Sequence, residues 1–78
     1  MKNRIQLETL TDVRDFCNIV DKIDADVYLI DGSTQYKVNA KSMLGCLLSQ
    51  AEWAETYVLC DKDIYSAIEK WIVICYII

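Results

Sequence analysis

Apolar and polar positions alternate in some stretches of this chain and recur at helical spacing in others. Around "RIQLETL", Ile5, Leu7 and Thr9 share one face at a period of two, which predicts a first strand. From Val13 the period lengthens: Val13, Phe16, Cys17, Val20 and Ile23 form one apolar stripe, the signature of an amphipathic helix. Thr9 followed by Asp12 fits a capping box, with Thr11 a competing N-cap, and Asp12 and Asp15 suit the positive end of the helix dipole. "DVYLI" is β-branched and aromatic, "DGST" is a turn in which Gly32 is available for positive φ, and "QYKVNA" alternates again. These two stretches predict a hairpin. Ser42 to Leu48 is a short helix with Met43, Leu44, Leu47 and Leu48 around most of its circumference, and "ETYVLC" is a fourth strand. Asp61 or Asp63 then caps a last helix, with Ile64, Ala67, Ile68, Trp71 and Cys75 as its stripe.

The predicted order is strand, helix, strand, strand, helix, strand, helix, in a single unit over residues 1–78 without linker or repeat. Such an order gives an α+β fold in which helices cover one face of an antiparallel sheet and the other face meets water. Strand order does not follow from it.

Composition narrows the chemistry. The chain is 54% hydrophobic and 26% charged, which is a folding composition. Its net charge of −4 and scattered basic residues lack the footprint of a nucleic-acid binder. Four cysteines without a CxxC pair, and an N-terminus without a signal-like apolar run, point to a reducing cytoplasm and to thiols used as small core hydrophobes. With no histidine, neither a metal site nor a histidine-based nucleophile arrangement is expected, and no cofactor motif occurs. Glu52 and Glu55 beside Trp53 read as solvent-facing carboxylates, so the chain is not expected to be an enzyme. The apolar tail from Trp71 to Ile78 is eight residues long, far below the roughly 20 needed for a transmembrane segment.

The stretch from Asp21 to Gly45, "DKIDADVYLIDGSTQYKVNAKSMLG", resembles HPr, the histidine-containing phosphocarrier protein of the bacterial sugar phosphotransferase system. The "VNxKSxxG" motif of that family stands unbroken as Val38, Asn39, Lys41, Ser42 and Gly45. The resemblance implies an HPr-like open-faced β-sandwich, a four-stranded antiparallel sheet with three helices on one face. The family carries its phosphoryl group on a histidine in a His-Ala-Arg-Pro segment at the start of the first helix. Ungapped alignment puts Thr9, Leu10, Thr11 and Asp12 there, so Thr9 occupies the histidine position and the arginine fork is absent. A threonine phosphate ester is a far poorer donor than phosphohistidine, and Glu8, Asp12 and Asp15 would repel a phosphate. No catalytic residue is expected.

Ser42 matches the serine that many Gram-positive HPr proteins receive a regulatory phosphate on. It therefore has three readings: a helix cap, a phosphorylation site with Lys41 as counter-charge, or a contact residue. The resemblance also makes the second helix a docking surface. Met43, Leu44 and Leu47 are its expected partner-binding residues, Trp53 extends them, and the expected partner is a phosphotransferase-system or transcriptional regulatory protein. The alternative is a structural or oligomerising domain that pairs through "WIVICYII", with Ser42 only a cap.

Overall fold

The computed structural model describes residues 1–73, and the elements follow the order the periods predict. They are β1 (Lys2–Ile5), α1 (Leu10–Asp21), β2 (Val27–Asp31), β3 (Lys37–Asn39), α2 (Met43–Glu52), β4 (Thr56–Cys60) and α3 (Tyr65–Ile68). The strands make one open antiparallel sheet in the order β1-β4-β2-β3. The protein is thus α+β, with a four-stranded antiparallel sheet and three helices.

Register explains the two faces. Val27 and Leu29 on β2 and Val58 and Cys60 on β4 project to one side, where they share a core with Val13, Phe16, Cys17 and Val20 of α1 and Cys46 of α2. The opposite rows align Asn39, Tyr28, Leu59 and Lys2, and beside them Lys37, Ile30, Tyr57 and Arg4. No helix covers these residues among those described; lysine stems do so in part. Lys37 Nζ lies 4.4 Å from the Tyr28 ring centroid and Lys2 Nζ 5.2 Å from that of Tyr57, so cations sit over ring faces while their stems shield apolar surface.

Several expectations change. β1 ends at Ile5, so Leu7 and Thr9 fall beyond the strand. α2 runs past Leu48 to Glu52, which places Glu52 on the helix and not in a loop. Gly32 does not supply the positive φ of the β2–β3 turn; Gln35 does, at φ 63°. The turn is built around Asp31, whose carboxylate accepts from Ser33 N–H at 2.9 Å and Thr34 Oγ1 at 3.0 Å, while Gln35 N–H donates to the Asp31 carbonyl at 2.9 Å. These bonds set the loop so that its fourth residue must turn left-handed. Gly32 serves closeness instead: its N–H donates to the Glu55 carbonyl at 3.0 Å, and a Cβ there would stand 2.8 Å from Tyr57 Cε2.

The last helix is also shorter than its stripe predicts. α3 ends at Ile68 and tightens into a 3₁₀ turn, Glu69–Trp71, after which Ile72 is extended and bridges Ile5. Gln6 N–H donates to the Trp71 carbonyl and Val73 N–H to the Arg4 carbonyl, each at 2.9 Å. The edge of β1 offers open backbone groups, and the β-branched pair Ile72-Val73 suits an extended chain better than a helix. Trp71 fixes the crossing point, packed edge-on against Phe16 with ring centroids 5.6 Å apart. Neither Asp61 nor Asp63 caps α3 as expected: Ile64 is its N-cap, without a side-chain cap bond, and Asp63 Oδ1 instead accepts from Tyr65 N–H at 3.0 Å in a local turn just before it. Cys75 and most of the tail expected to pair between chains lie outside the described residues. No helix among the described residues is long and apolar enough to cross a membrane.

Candidate functional site

The starts of α1 and α2 have the same backbone need and meet it differently. Four N–H groups at any helix start lack intrahelical partners and attract anionic oxygens. At α1, Thr9 is the N-cap: its Oγ1 accepts from Asp12 N–H at 3.1 Å, and Thr11 lies inside the helix. The Asp12 carboxylate reaches back to accept from Glu8 N–H at 3.1 Å and Thr9 N–H at 3.3 Å. Its other oxygen accepts from Trp71 Nε1 at 3.4 Å. The donation from Glu8 N–H, joined by those from Trp71 and Thr9, lowers the Asp12 pKa from 3.8 against an opposing desolvation. Asp12 thus takes up the two amides just before the helix and sets a negative charge beside Thr9, which opposes an external anion there.

At α2 the arrangement is open. Ser42 is the N-cap, its exposed Oγ accepting from Gly45 N–H at 3.3 Å, and no acidic residue stands in the first helical turn. Its own N–H donates to the Asn39 carbonyl at 3.1 Å, and Asn39 Oδ1 accepts from Lys41 N–H at 2.9 Å. Gly45 brings this turn close to β3, since a Cβ on it would stand 3.1 Å from that same carbonyl oxygen. The motif residues Asn39, Ser42 and Gly45 thus work as one local unit. Lys41 is placed elsewhere than expected. Its ammonium donates to the Ile23 carbonyl at 2.8 Å and so serves the end of α1 instead of facing Ser42.

Beyond its cap, α2 carries apolar surface on its outer side. Leu44 is 77% exposed and Met43 41% exposed. Leu47 is half-buried and packs on the core. An open groove of about 690 Å³ runs along α2 and β3, lined by Val38, Asn39, Ser42, Leu44, Gly45, Leu47, Leu48 and Ala51. A second cleft of about 320 Å³ brings Thr9 and Leu10 beside Leu47, Gln50 and Ala51. Leu47 and Ala51 line both, so the grooves adjoin across the helix. No family model, curated protein or solved structure matches this chain.

Two residues of this surface went unread in the sequence as site residues. Leu48, 38% exposed, was legible as one of four apolar positions crowding a short helix. Leu10, 75% exposed, falls outside the stripe that starts at Val13 and follows a cap, which was its only signal. Trp53 closes α2 and meets exposed Tyr36 edge-on with centroids 6.3 Å apart, and it lines a separate cleft with Gln50 and Thr56 instead of the α2–β3 groove it was expected to extend. Of the paired carboxylates, Glu52 is exposed, whereas Glu55 is half-buried and accepts from Tyr57 OH at 3.3 Å. Among the described residues no cluster of metal-ligating side chains occurs. Cys17, Cys46 and Cys60 are free and buried; burial, with a hydrogen bond from Cys17, raises the Cys46 thiol above its ordinary range.

Proposed function

We propose that this is an HPr-like protein without phosphohistidine chemistry, acting as a protein-binding module through α2. The exposed leucines Leu44 and Leu48 beside an apolar groove carry the reading, because a helix that leaves such side chains in water is suited to a protein surface. The intact motif around Ser42 and the α+β architecture support the family assignment. The Asp12 carboxylate bonded to the Glu8 and Thr9 amides, a negative charge beside the expected histidine position, supports the loss of the relay. The partner is a phosphotransferase-system or regulatory protein, met in a reducing cytoplasm.

Titration of the chain against purified enzyme I and against an HPr kinase tests this. Binding to one of them is expected, weakened at least about tenfold by Leu44→Asp, the scale of one interface anchor. Incubation with enzyme I and phosphoenolpyruvate is expected to leave no acid-labile phosphate. Binding to neither protein, or equal binding by Leu44→Asp, overturns the proposed surface; labelled protein overturns the missing relay.

A second reading is favoured by the exposed Ser42 hydroxyl at a helix start free of acidic neighbours in its first turn. Here Ser42 accepts a phosphate from an ATP-dependent kinase, and intact mass shows the gain in the natural chain and not in Ser42→Ala.

A further inference from the structure

Cys17 on α1 and Cys46 on α2 hold their Sγ atoms 3.0 Å apart across the helix interface, 29 positions apart in sequence. Both are buried, Cys46 completely and Cys17 to within 5%. Both thiols also point at one acceptor, the Ala40 carbonyl, at 3.2 Å from Cys46 and 3.8 Å from Cys17. A disulfide needs a separation of about 2.05 Å, so closure asks for movement of about 1 Å. Cys60 has no such partner among the described residues. We propose that Cys17 and Cys46 are a dithiol that hydrogen peroxide converts into a disulfide stapling α1 to α2. The inference does not depend on the partner-binding reading.

Burial selects the oxidant. A glutathione-sized disulfide would have to leave a bulky mixed disulfide inside the core, whereas peroxide is close to water in size. Cys17, with its remaining exposure, makes the first attack. Its thiol gives up a proton, its sulfur bonds to one peroxide oxygen, the O–O bond breaks, and water leaves a sulfenic acid. The Cys46 sulfur then attacks that sulfenic sulfur, the S–O bond breaks, and the departing hydroxide takes the Cys46 proton as a second water. Two thiols and one hydrogen peroxide become one disulfide and two waters; the sulfurs supply the two electrons that the peroxide accepts. The resulting bond holds α2, the bearer of Leu44 and Leu48, against α1.

The test uses the full chain, reduced and then treated with stoichiometric hydrogen peroxide. Free thiols are next alkylated in denaturant and the products mapped by non-reducing proteolysis and mass spectrometry. The expected product is monomeric, lighter before alkylation than the reduced chain by about two mass units for two hydrogens lost, and after alkylation carries adducts only on Cys60 and Cys75, with peptides of Cys17 and Cys46 joined. Its Tm rises on the order of 10 °C, as expected for closing a loop of this length in a small domain, and a dithiol reductant reverses the rise. Alkylation of both Cys17 and Cys46, sulfinic acid on either without a link, or a link to Cys60, Cys75 or a second chain overturns the proposal.

Discussion

The β2–β3 turn supports a paired prediction of opposite signs, one for Gln35 and one for Gly32. Gln35 sits at φ 63°, where a side chain crowds its own backbone. That conformation costs a non-glycine residue about 1–2 kcal/mol. Glycine removes this cost and returns about 0.5–1 kcal/mol as extra freedom in the unfolded chain. The Gln35 side chain gives up only an exposed 3.3 Å bond to the Gly32 carbonyl. Gln35→Gly is therefore expected to stabilise by about 0.5 kcal/mol, a Tm rise of about 2–4 °C in a domain of this size.

Gly32→Ala should do the reverse, although Gly32 has no positive φ to relieve. At an unobstructed site, alanine would gain about 0.4–1 kcal/mol from the unfolded state. Here its Cβ would meet Tyr57 Cε2 at 2.8 Å, Glu55 Oε2 at 2.9 Å and Glu55 Cβ at 3.1 Å. The carboxylate can swing away. The Glu55 Cβ cannot, because the Gly32–Glu55 backbone bond ties the two segments together. Overpacking at about 1–3 kcal/mol outweighs the gain, for a net loss of about 1–2 kcal/mol and a Tm fall of about 5–10 °C. Thermal melts followed by far-UV circular dichroism measure both variants. A Gln35→Gly protein melting below the natural chain, or a Gly32→Ala protein melting at or above it, refutes the reasoning.

Three further outcomes are expected. Asp12 has a lowered folded pKa, so its contribution is full above the unfolded value near 3.8 and lost as pH falls through the lower folded value. Asp12→Asn should thus be less stable at neutral pH and lose less stability on acidification below about pH 4, read from urea midpoints across that range. Phe16→Ala should cost about 3–5 kcal/mol by opening the core under Trp71, whereas Leu44→Ala should move stability by less than about 0.5 kcal/mol, both read by urea denaturation. Ser42→Ala should cost about 0.5–1 kcal/mol as a lost N-cap and Ser42→Gly only a few tenths, a difference that thermal melts resolve.

Local pattern decided much of this protein. The period-two and helical stretches are short-range properties, and so are the caps: Thr9 with Asp12 and Ser42 with Gly45 pair across three residues, within reach of sequence reading. The α+β class and the apolar crowding of α2 follow from the same information. Long-range choices required the tertiary structure. Lys41 turns to Ile23, 18 positions earlier, because the end of α1 presents a carbonyl there that no local pattern announces. The helical stripe through Trp71 stops where the edge of β1 offers backbone partners and Phe16 offers a ring. Whether Leu44 lies in the core or in water depends on which side of α2 meets β3, and the close approach at Gly45 decides that. The pairing of Cys17 with Cys46 arises in the same way, from two helices laid side by side on a sheet whose strand order depends on contacts distant in sequence.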